Sequence, residues 1–297
     1  MKIIQKASEM RQIAEEIRGA GEKIALVPTM GALHEGHQSL LREGRGRADH
    51  LVASIFVNPK QFPFNDRTDF EKYARPIEAD LEICRKEKVD IVFTPTEEEI
   101  YPPGKKETPF PLPSVALPLE GVSRPGHFAG VIDVVSRLFW IVQPHLALFG
   151  EKDYQQLRVI EEMVLELEMG IVIVSCPTVR TAEGLALSSR NSRLSPEGIR
   201  HALALSRSLR LAQEIFHQRW RGQSERQAKV FREKVLEELR KDPQSRIDYV
   251  AVVDAHTLQE IERIEKKTLV AVATFVEGVR LIDNCILDAD QVGRKTT

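Results

Sequence analysis

The chain has 297 residues, of which 42% are hydrophobic and 29% charged, and its net charge is -2. This composition is typical of a globular protein long enough for two domains, and basic residues interspersed with acidic ones argue against a nucleic-acid-binding protein. No apolar run reaches the roughly 18 residues of a membrane span, and no apolar signal-peptide region follows residues 1–6. The cysteines Cys84, Cys176 and Cys285 have no metal-binding spacing and fit a reducing compartment. We therefore expect a cytoplasmic protein without a membrane or nucleic-acid partner.

In the first part of the chain, short apolar runs alternate with helical patterns. We predict an N-terminal helix over residues 1–18, strands over 24–27, 50–57, 90–94, 147–149 and 171–174, and helices over 77–88 and 131–142. Strands that alternate with helices indicate a parallel sheet with helices on both faces. The predicted fold class is therefore α/β, with a doubly wound parallel sheet.

The composition changes after Leu187. Residues 197–240 are helical in pattern and carry charges of alternating sign, which is typical of solvent-exposed helix faces. Three strands are predicted over 249–253, 268–273 and 280–284. We therefore predict a first domain over residues 1–187, a smaller α+β domain over 188–285, and a tail over 286–297.

Two histidines follow the predicted strand 24–27. Proline and glycine end this strand in a turn, and a helical pattern begins at His34 and His37, which are three residues apart and share a helix face. A helix start offers unpaired N–H groups and a positive dipole end, so the pattern predicts a phosphate site in which both imidazoles donate hydrogen bonds. Zinc ligation by His34, Glu35 and His37 is the alternative, although helical zinc sites more often use i, i+4 spacing.

Other phosphate-binding candidates also follow predicted strands. Ligand sites of parallel sheets lie at the carboxyl ends of the strands, so residues 30–37 and 58–61 are expected to lie close together. Lys152 would add a positive charge, and residues 188–190 would add hydroxyl groups and a guanidinium suited to phosphate. The alternatives are a surface lysine and an ordinary polar turn or helix cap. Asp153 fits either a ribose contact or a helix cap.

Six sequence blocks resemble the pantoate–β-alanine ligase (pantothenate synthetase) family. They follow the family order over nearly the whole chain, at residues 27–37, 56–62, 123–128, 149–156, 184–191 and 280–284. A single His-x-Gly-His motif is shared by a superfamily of nucleotidyl transferases, whereas the full set is specific. The resemblance implies a Rossmann-like nucleotidyl-transferase domain and a smaller C-terminal domain that closes over the site.

The resemblance also implies a two-step reaction. The carboxylate of pantoate attacks the α-phosphorus of ATP, which gives pantoyl adenylate and pyrophosphate. The amine of β-alanine then attacks the acyl carbonyl, which gives pantothenate and AMP. Family members typically use Mg²⁺ and form a homodimer through the N-terminal domain.

By resemblance, the ATP site has two groups of residues. They are Met30, Gly31, Ala32, Leu33, His34, Glu35, Gly36 and His37 in the first, and Gly150, Glu151, Lys152, Asp153, Val179, Leu187, Ser188, Ser189 and Arg190 in the second. The expected catalytic residues are His34, His37, Lys152 and Arg190. His37 matches the family's proton donor, but pyrophosphate is already a good leaving group. We therefore expect both histidines to act mainly by stabilising phosphate charge.

The resemblance also assigns substrate contacts. Gln61 and Gln156 match pantoate contacts, Gln61 also matches the β-alanine contact, and Asn58 is a neighbour. Val131, Val134 and Val135 would form an apolar wall.

Several assignments are less specific. Asp80 lies in the family's acidic region near Mg²⁺, but Ala79 precedes it where some members carry a second acid, so ATP phosphates and water are expected to hold most of the metal. Arg124 and His127 would neighbour β-alanine or close the site. Asp133 stands where the family often has a small neutral residue, and it would face solvent or alter the pocket wall.

Three alternative functions differ in chemistry. A nucleotidyl transferase would leave the nucleotide on its product, and a non-catalytic regulator would only bind the nucleotide. The presence of His37, Lys152 and Arg190 favours an enzyme over the regulator. A metal hydrolase lacks a clear third ligand beside His34 and His37.

Overall fold

The protein is represented by a computed structural model that describes residues 1–62, 68–71, 73–104, 110–222 and 226–288. The chain forms two compact units. The first comprises Met1–Glu151 and Gln155–Val179, and the second comprises Lys152–Tyr154 and the chain from Arg180 onward. From the sequence, the boundary between the two domains was predicted after Leu187. Most of the predicted tail lies outside the described residues, and so does part of the predicted helical stretch 197–240.

The described helices and strands alternate along the first unit. In chain order they are β1 (Lys2–Ile4), α1 (Ala7–Gly19), β2 (Ile24–Thr29), α2 (Glu35–Arg45), β3 (His50–Ile55), α3 (Thr68–Glu71), α4 (Ile77–Lys86), β4 (Ile91–Phe93), α5 (Glu97–Ile100), α6 (Glu120–Ser123), α7 (His127–Val142), β5 (Leu146–Gly150), α8 (Tyr154–Glu166) and β6 (Val172–Cys176). Short 3-10 turns occur at Pro59–Gln61, Ser114–Ala116 and Glu151–Asp153.

The described strands of the first unit form one parallel sheet in the order β1-β4-β3-β2-β5-β6. The central strands are apolar and buried because helices flank the sheet. The prediction of an α/β fold with a parallel, Rossmann-like sheet is confirmed. Because the strands are parallel, their carboxyl ends lie along one edge, where the loops after β2 and β3 begin.

The N-terminal helix is shorter than predicted. Residues Lys2–Ile4 form a strand instead, with Lys2 opposite Ile91 and Ile4 opposite Phe93. Helix α1 begins at Ala7 and buries Met10, Ala14 and Ile17 on one face. The prediction of a helix here is confirmed, although of the two apolar residues that indicated it, Ile17 is buried and Ile13 is only partly buried. The strand before them depends on pairing with a segment about 90 residues away, which local periodicity does not reveal.

The second unit combines helices with a small antiparallel sheet, so the prediction of a smaller α+β domain is confirmed. Its elements are α9 (Pro196–Gly222), α10 (Ala228–Leu239), β7 (Arg246–Asp254), β8 (Thr268–Val276) and β9 (Val279–Leu287), with a 3-10 turn at Ser189–Arg193. Buried residues of both helices, including Leu205 and Phe231, share one core with Val270 and Val272 of β8. Among the described residues, no helix is long and apolar enough to cross a membrane.

Candidate active site

The loop between β2 and α2 brings together the two histidines predicted to bind phosphate. His34 is the N-cap of α2, and its Nδ1 accepts a hydrogen bond from the Gly36 N–H at 3.1 Å. The Nδ1 of His37 accepts a hydrogen bond from the His34 N–H at 3.2 Å, which completes a reciprocal capping box. The two ring centroids lie 4.2 Å apart. The structure therefore places both rings together at the start of α2.

The capping box also sets the tautomer of both rings. A neutral imidazole whose Nδ1 accepts a backbone hydrogen bond carries its proton on Nε2. Both His34 and His37 are thus Nε2–H donors when neutral. Two such donors beside the N–H groups and positive dipole end of α2 favour phosphate oxygens.

Asp80 of α4 fixes the backbone of the same loop. It is 1% exposed, and its two carboxylate oxygens accept hydrogen bonds from the N–H groups of Ala32 (2.9 Å) and Leu33 (2.7 Å). A side chain at Gly31 would place its Cβ 2.9 Å from the Asp80 carboxylate, and Gly31 has a φ of +78°. Asp80 and Gly31 together therefore determine the path of the backbone into α2.

This arrangement gives Asp80 a structural role beside the one predicted for it as a metal ligand. Both of its oxygens are already engaged with the backbone of the loop. Burial raises the pKa of Asp80 above its ordinary value, although the hydrogen bonds from Leu33 and Ala32 act in the opposite direction. In the described part of the chain, no group of three or more His, Cys, Asp or Glu side chains is arranged to hold a metal ion.

Asn58 and Gln61 lie in the 3-10 turn after β3 and share a hydrogen bond. The Nδ2 of the fully buried Asn58 donates to Gln61 Oε1 at 2.9 Å and to the Gly130 carbonyl at 3.0 Å. The Oδ1 of Asn58 accepts from the Lys60 N–H at 3.2 Å and from the Tyr101 hydroxyl at 2.8 Å. The two donors and two acceptor positions of the Asn58 side-chain amide are thereby used within the protein. Asn58 therefore orients the Gln61 amide, which leaves Gln61 Nε2 as its donor atom.

Arg124 and His127 hold the backbone of Gln61. The Gln61 carbonyl accepts hydrogen bonds from Arg124 Nη2 at 3.1 Å and from His127 Nδ1 at 3.0 Å. His127 Nε2 lies 3.2 Å from Arg124 Nη1, so it accepts from the guanidinium while Nδ1 donates. The sequence left the role of these two residues open. In the structure, both hold the backbone carbonyl of Gln61 in place.

The two glutamines at the start of α8 differ in their surroundings. Gln155 is buried, its Nε2 donates to the carbonyls of Val115 (2.8 Å) and Pro118 (2.7 Å), and its Oε1 accepts from the Glu120 N–H (3.0 Å). Gln155 therefore attaches the backbone of residues 115–120 to α8. The predicted pantoate contact is the neighbouring Gln156, which is partly buried.

Asp133 is buried rather than facing solvent. It is 6% exposed, and its carboxylate pairs with Lys60 Nζ at 2.8 Å and with Arg137 Nε at 2.6 Å. Lys60 belongs to the turn of Asn58 and Gln61, and Arg137 lies one helical turn after Asp133 on α7. The valines predicted to form the apolar wall, Val131, Val134 and Val135, are also buried on α7.

The second unit contributes another set of predicted ATP contacts. Lys152 is largely buried, its Nζ lies 3.6 Å from Asp153 Oδ1, and its carbonyl accepts from Asn284 Nδ2 at 2.9 Å. The hydroxyl of Ser188 accepts from the Arg190 N–H at 3.2 Å and caps the 3-10 turn that follows. One small cavity of this unit is lined by Lys152, Ser188 and Arg190, among others. The unit thus gathers two cations and a hydroxyl in one place.

Arg180 and Asp283 form a buried ion pair that the sequence analysis missed. Arg180 Nη1 and Nη2 donate to the two carboxylate oxygens at 2.6 and 2.9 Å. Asp283 is 3% exposed and also lines the cavity with Lys152. Burial lowers the pKa of Arg180, but the hydrogen bond and charge of Asp283 outweigh it and raise the pKa overall. The sequence block 280–284 contains Asp283, but no feature of that block indicated that Arg180 is its partner.

The predicted ATP contacts are thus divided between the two units. The first contains residues 30–37, Gly150, Glu151 and Val179, and the second contains Lys152, Asp153 and residues 187–190. The pantoate candidates Asn58, Gln61 and Gln156 all belong to the first unit.

Comparison with known proteins assigns these features to a family. The family model described as Pantoate-beta-alanine ligase matches residues 2–286. Pantothenate synthetase of Geobacter sulfurreducens is 46% identical over 291 residues, which cover 98% of this chain and 100% of the relative. Pantothenate synthetase of Thermotoga neapolitana is 47% identical over 291 residues, which cover 97% of this chain and 100% of the relative.

Solved structures agree with the sequence matches. Pantothenate synthetase from Thermus thermophilus superposes with a TM-score of 0.87 at 40% identity, with 97% of this chain and 99% of that chain covered. Pantoate-beta-alanine ligase from Francisella tularensis, complexed with Beta-gamma ATP and Beta-alanine, superposes with a TM-score of 0.77 at 33% identity, with 98% of each chain covered.

Proposed function

Because the chain belongs to the pantoate–β-alanine ligase family, we propose that it joins pantoate to β-alanine in an ATP-dependent reaction through a pantoyl adenylate. The observation that carries this proposal is the family match over residues 2–286, which includes the paired histidines at the start of α2. The product is pantothenate, and AMP and pyrophosphate are released.

In the first proposed step, a carboxylate oxygen of pantoate forms a bond to the α-phosphorus of ATP. The bond from that phosphorus to the bridging oxygen breaks, and pyrophosphate leaves with the electron pair. Charge builds on the phosphate oxygens, where the Nε2–H groups of His34 and His37 are suited to donate hydrogen bonds. Lys152 and Arg190 are proposed as the cations that balance the charge of the polyphosphate.

Gln61 is proposed to contact both acid substrates. Its Oε1 accepts from Asn58, so its Nε2 is the group that donates to an oxygen of pantoate and later to the carboxylate of β-alanine. Gln156 is proposed as the second pantoate contact. In the second step the β-alanine amine attacks the acyl carbon, the bond to AMP breaks, and the amine loses a proton.

The structure fits a metal that arrives with the nucleotide better than one held by Asp80. The Asp80 carboxylate is buried and bonded to two loop amides. Mg²⁺ prefers phosphate oxygens and water, and it keeps several of its waters when bound. We therefore assign no reaction step to a protein-held metal.

The oligomeric state and location are part of the same proposal. A homodimer would have twice the chain mass of 33.6 kDa, which light scattering measures directly. The three cysteines, all within the described residues, are free and buried, which suits the reducing cytoplasm where we place the enzyme.

Product analysis tests the reaction. The protein is incubated with ATP, Mg²⁺ and D-pantoate, with β-alanine present or omitted, and AMP, pyrophosphate and amide are measured. We expect steady release of AMP and pyrophosphate together with pantothenate only when β-alanine is present. Without it, pyrophosphate should appear about once per site and then stop. Steady pyrophosphate release without amine would instead indicate another adenylyl acceptor, and no release would indicate a binding protein.

A further inference from the structure

A group of charged and aromatic side chains around the buried Asp133 lies beside Gln61. It consists of Lys60, Tyr101, Asp133 and Arg137, which we call the Asp133 cluster. Asp133 is at its centre, since its two carboxylate oxygens bind Lys60 Nζ at 2.8 Å and Arg137 Nε at 2.6 Å. The Asp133 side chain is 8% exposed, so its carboxylate is shielded from solvent, whereas Lys60 is partly exposed. A buried carboxylate of this kind persists only where its partners are fixed in place.

The two cations of the cluster also contact one aromatic ring. Lys60 Nζ lies 4.3 Å from the centroid of the Tyr101 ring, and Arg137 Cζ lies 5.1 Å from it. Both distances are within the range of cation–π attraction. Asp133 therefore orients two cations that together hold the Tyr101 ring.

Tyr101 passes this orientation to the turn after β3. Its hydroxyl donates to Asn58 Oδ1 at 2.8 Å, and the same oxygen accepts from the Lys60 N–H at 3.2 Å. These two donors fix which end of the Asn58 amide is oxygen, so its Nδ2 donates to Gln61 Oε1 at 2.9 Å. Because Gln61 Oε1 accepts this hydrogen bond, the Gln61 amide is oriented with Nε2 as its donor atom.

We propose that the Asp133 cluster is a positioning device that sets the Gln61 amide as a hydrogen-bond donor to the hydroxy-acid substrate. Asp133 is thus a positioning residue that determines the affinity for pantoate, although it does not touch the substrate. This proposal rests on the proposed binding of pantoate by Gln61. It differs from a purely structural role of the cluster because it predicts changes in the Michaelis constants of the acid substrates that Gln61 contacts, pantoate first, rather than a general loss of activity.

Three substitutions at successive points of the cluster test the proposal. Tyr101→Phe removes the hydroxyl and keeps the ring between its cations, Asp133→Asn removes the central charge, and Lys60→Met removes one partly exposed cation. We expect each to raise the KM for pantoate, by about tenfold for Tyr101→Phe, with kcat and the KM for ATP within about twofold of the wild-type values. Glu82→Gln, which alters an exposed ion pair with Arg85 on α4, is the matched control and should change none of them.

The double variant Tyr101→Phe/Asp133→Asn tests whether the residues act along one path. If they do, the KM for pantoate of the double variant should be close to that of the more affected single variant. The second substitution would then remove no further orientation of the Gln61 amide. Increases that multiply would overturn the proposal. It would also be overturned if the variants unfold at lower temperature while the KM for pantoate stays at the wild-type value.

The same assays separate this proposal from the proposed function. A wild-type protein that makes no pantothenate would contradict the function itself. A wild-type protein that makes pantothenate, with variants that keep its KM for pantoate, would contradict only the role of the Asp133 cluster. If Asp133→Asn does not fold, Tyr101→Phe and Lys60→Met still decide the outcome. Tyr101→Phe leaves the carboxylate and both of its cations in place, and Lys60→Met leaves the carboxylate and Arg137.

Discussion

Two buried aspartates, one in each unit, stabilise their surroundings in different ways. Asp80 is 1% exposed and binds two neutral backbone amides of the β2–α2 loop, whereas Asp283 is 3% exposed and binds the guanidinium of Arg180. The first interaction fixes a backbone path beside the histidines. The second balances a charge beside the cavity of Lys152. Burial alone therefore does not determine what a carboxylate does. Its partners decide whether it fixes the path of a backbone or balances a charge.

The largest effect is expected at the loop held by Asp80. His37→Asn replaces Nδ1 by an oxygen that still accepts from the His34 N–H, but it removes the Nε2–H donor. We expect the rate of adenylate formation to fall by about 10²–10³, which corresponds to about 3–4 kcal/mol of transition-state stabilisation, with little change in melting temperature. Single-turnover release of pyrophosphate measures this rate.

A matched control for this substitution is available on α9. His217 is an exposed histidine that contacts the Gln213 carbonyl, so His217→Asn should leave the adenylation rate unchanged. A decrease of less than about fivefold for His37→Asn would show that the capping role of this ring, rather than its donor, accounts for its place in the site.

The ion pair of the second unit should show the next largest effect, on stability. Asp283→Asn leaves Arg180 charged and deprived of its anionic partner. Loss of one member of a buried pair costs about 3–5 kcal/mol, and the partial exposure of Arg180 places the expected loss near the lower end, at about 3 kcal/mol. Urea denaturation followed by circular dichroism measures it.

The control for this charge pair is Glu237→Gln. Its partner Lys234 lies 2.7 Å away, but both side chains are about half exposed, so the expected loss is below about 1 kcal/mol. Equal losses for the two variants would show that the Arg180–Asp283 pair contributes no more than a surface pair.

A smaller loss is expected for the corresponding change in the first unit. Asp80→Asn keeps one acceptor oxygen but turns an amide group toward a loop N–H, which costs about 1–2 kcal/mol. Burial raises the pKa of Asp80, so its ionised form is disfavoured in the folded state. The contribution of Asp80 to the free energy of unfolding of the wild type therefore falls as pH rises above 3.8. The variant lacks this pH dependence. A loss as large as that of Asp283→Asn would contradict the distinction between position and charge.

The sequence was sufficient to predict local geometry, but not the long-range contacts around the candidate site. The spacing of His34 and His37 was sufficient to place both rings at one helix start, because helical geometry is local. The strand ends likewise identified the turn of Asn58 and Gln61. The division of predicted contacts between the two units was not visible, since Lys152 belongs to the second unit while the preceding Glu151 belongs to the first.

The contacts that the sequence missed join residues far apart in the chain. Tyr101 reaches Asn58, Arg180 reaches Asp283, and Lys60 reaches Asp133. No periodicity or motif specifies such pairs, because they arise only when distant elements pack. The backbone of residues 115–120 is a similar case, since the buried Gln155 fixes it from α8.

The smallest expected effect is the pH dependence that His145 gives to the free energy of unfolding. His145 Nδ1 accepts from the Ile24 N–H at 3.0 Å, at the first residue of β2. Burial, followed by the charges of Arg18 and Lys23, holds the pKa of His145 below its ordinary value of 6.5. As pH falls below 6.5, the unfolded chain binds a proton that the folded chain does not, so the folded state loses stability.

His145→Asn keeps an acceptor for the Ile24 N–H but cannot titrate in this range. We therefore expect the wild-type free energy of unfolding to fall relative to that of the variant between about pH 7.5 and 5.5, by at most about 1.4 kcal/mol for each pH unit. Urea midpoints at both pH values measure the difference, and other histidines cancel because both proteins contain them. Parallel losses in both proteins would mean that titration of His145 does not change the free energy of unfolding over this range. The neutral contacts of the first unit would then be insensitive to acid between these pH values.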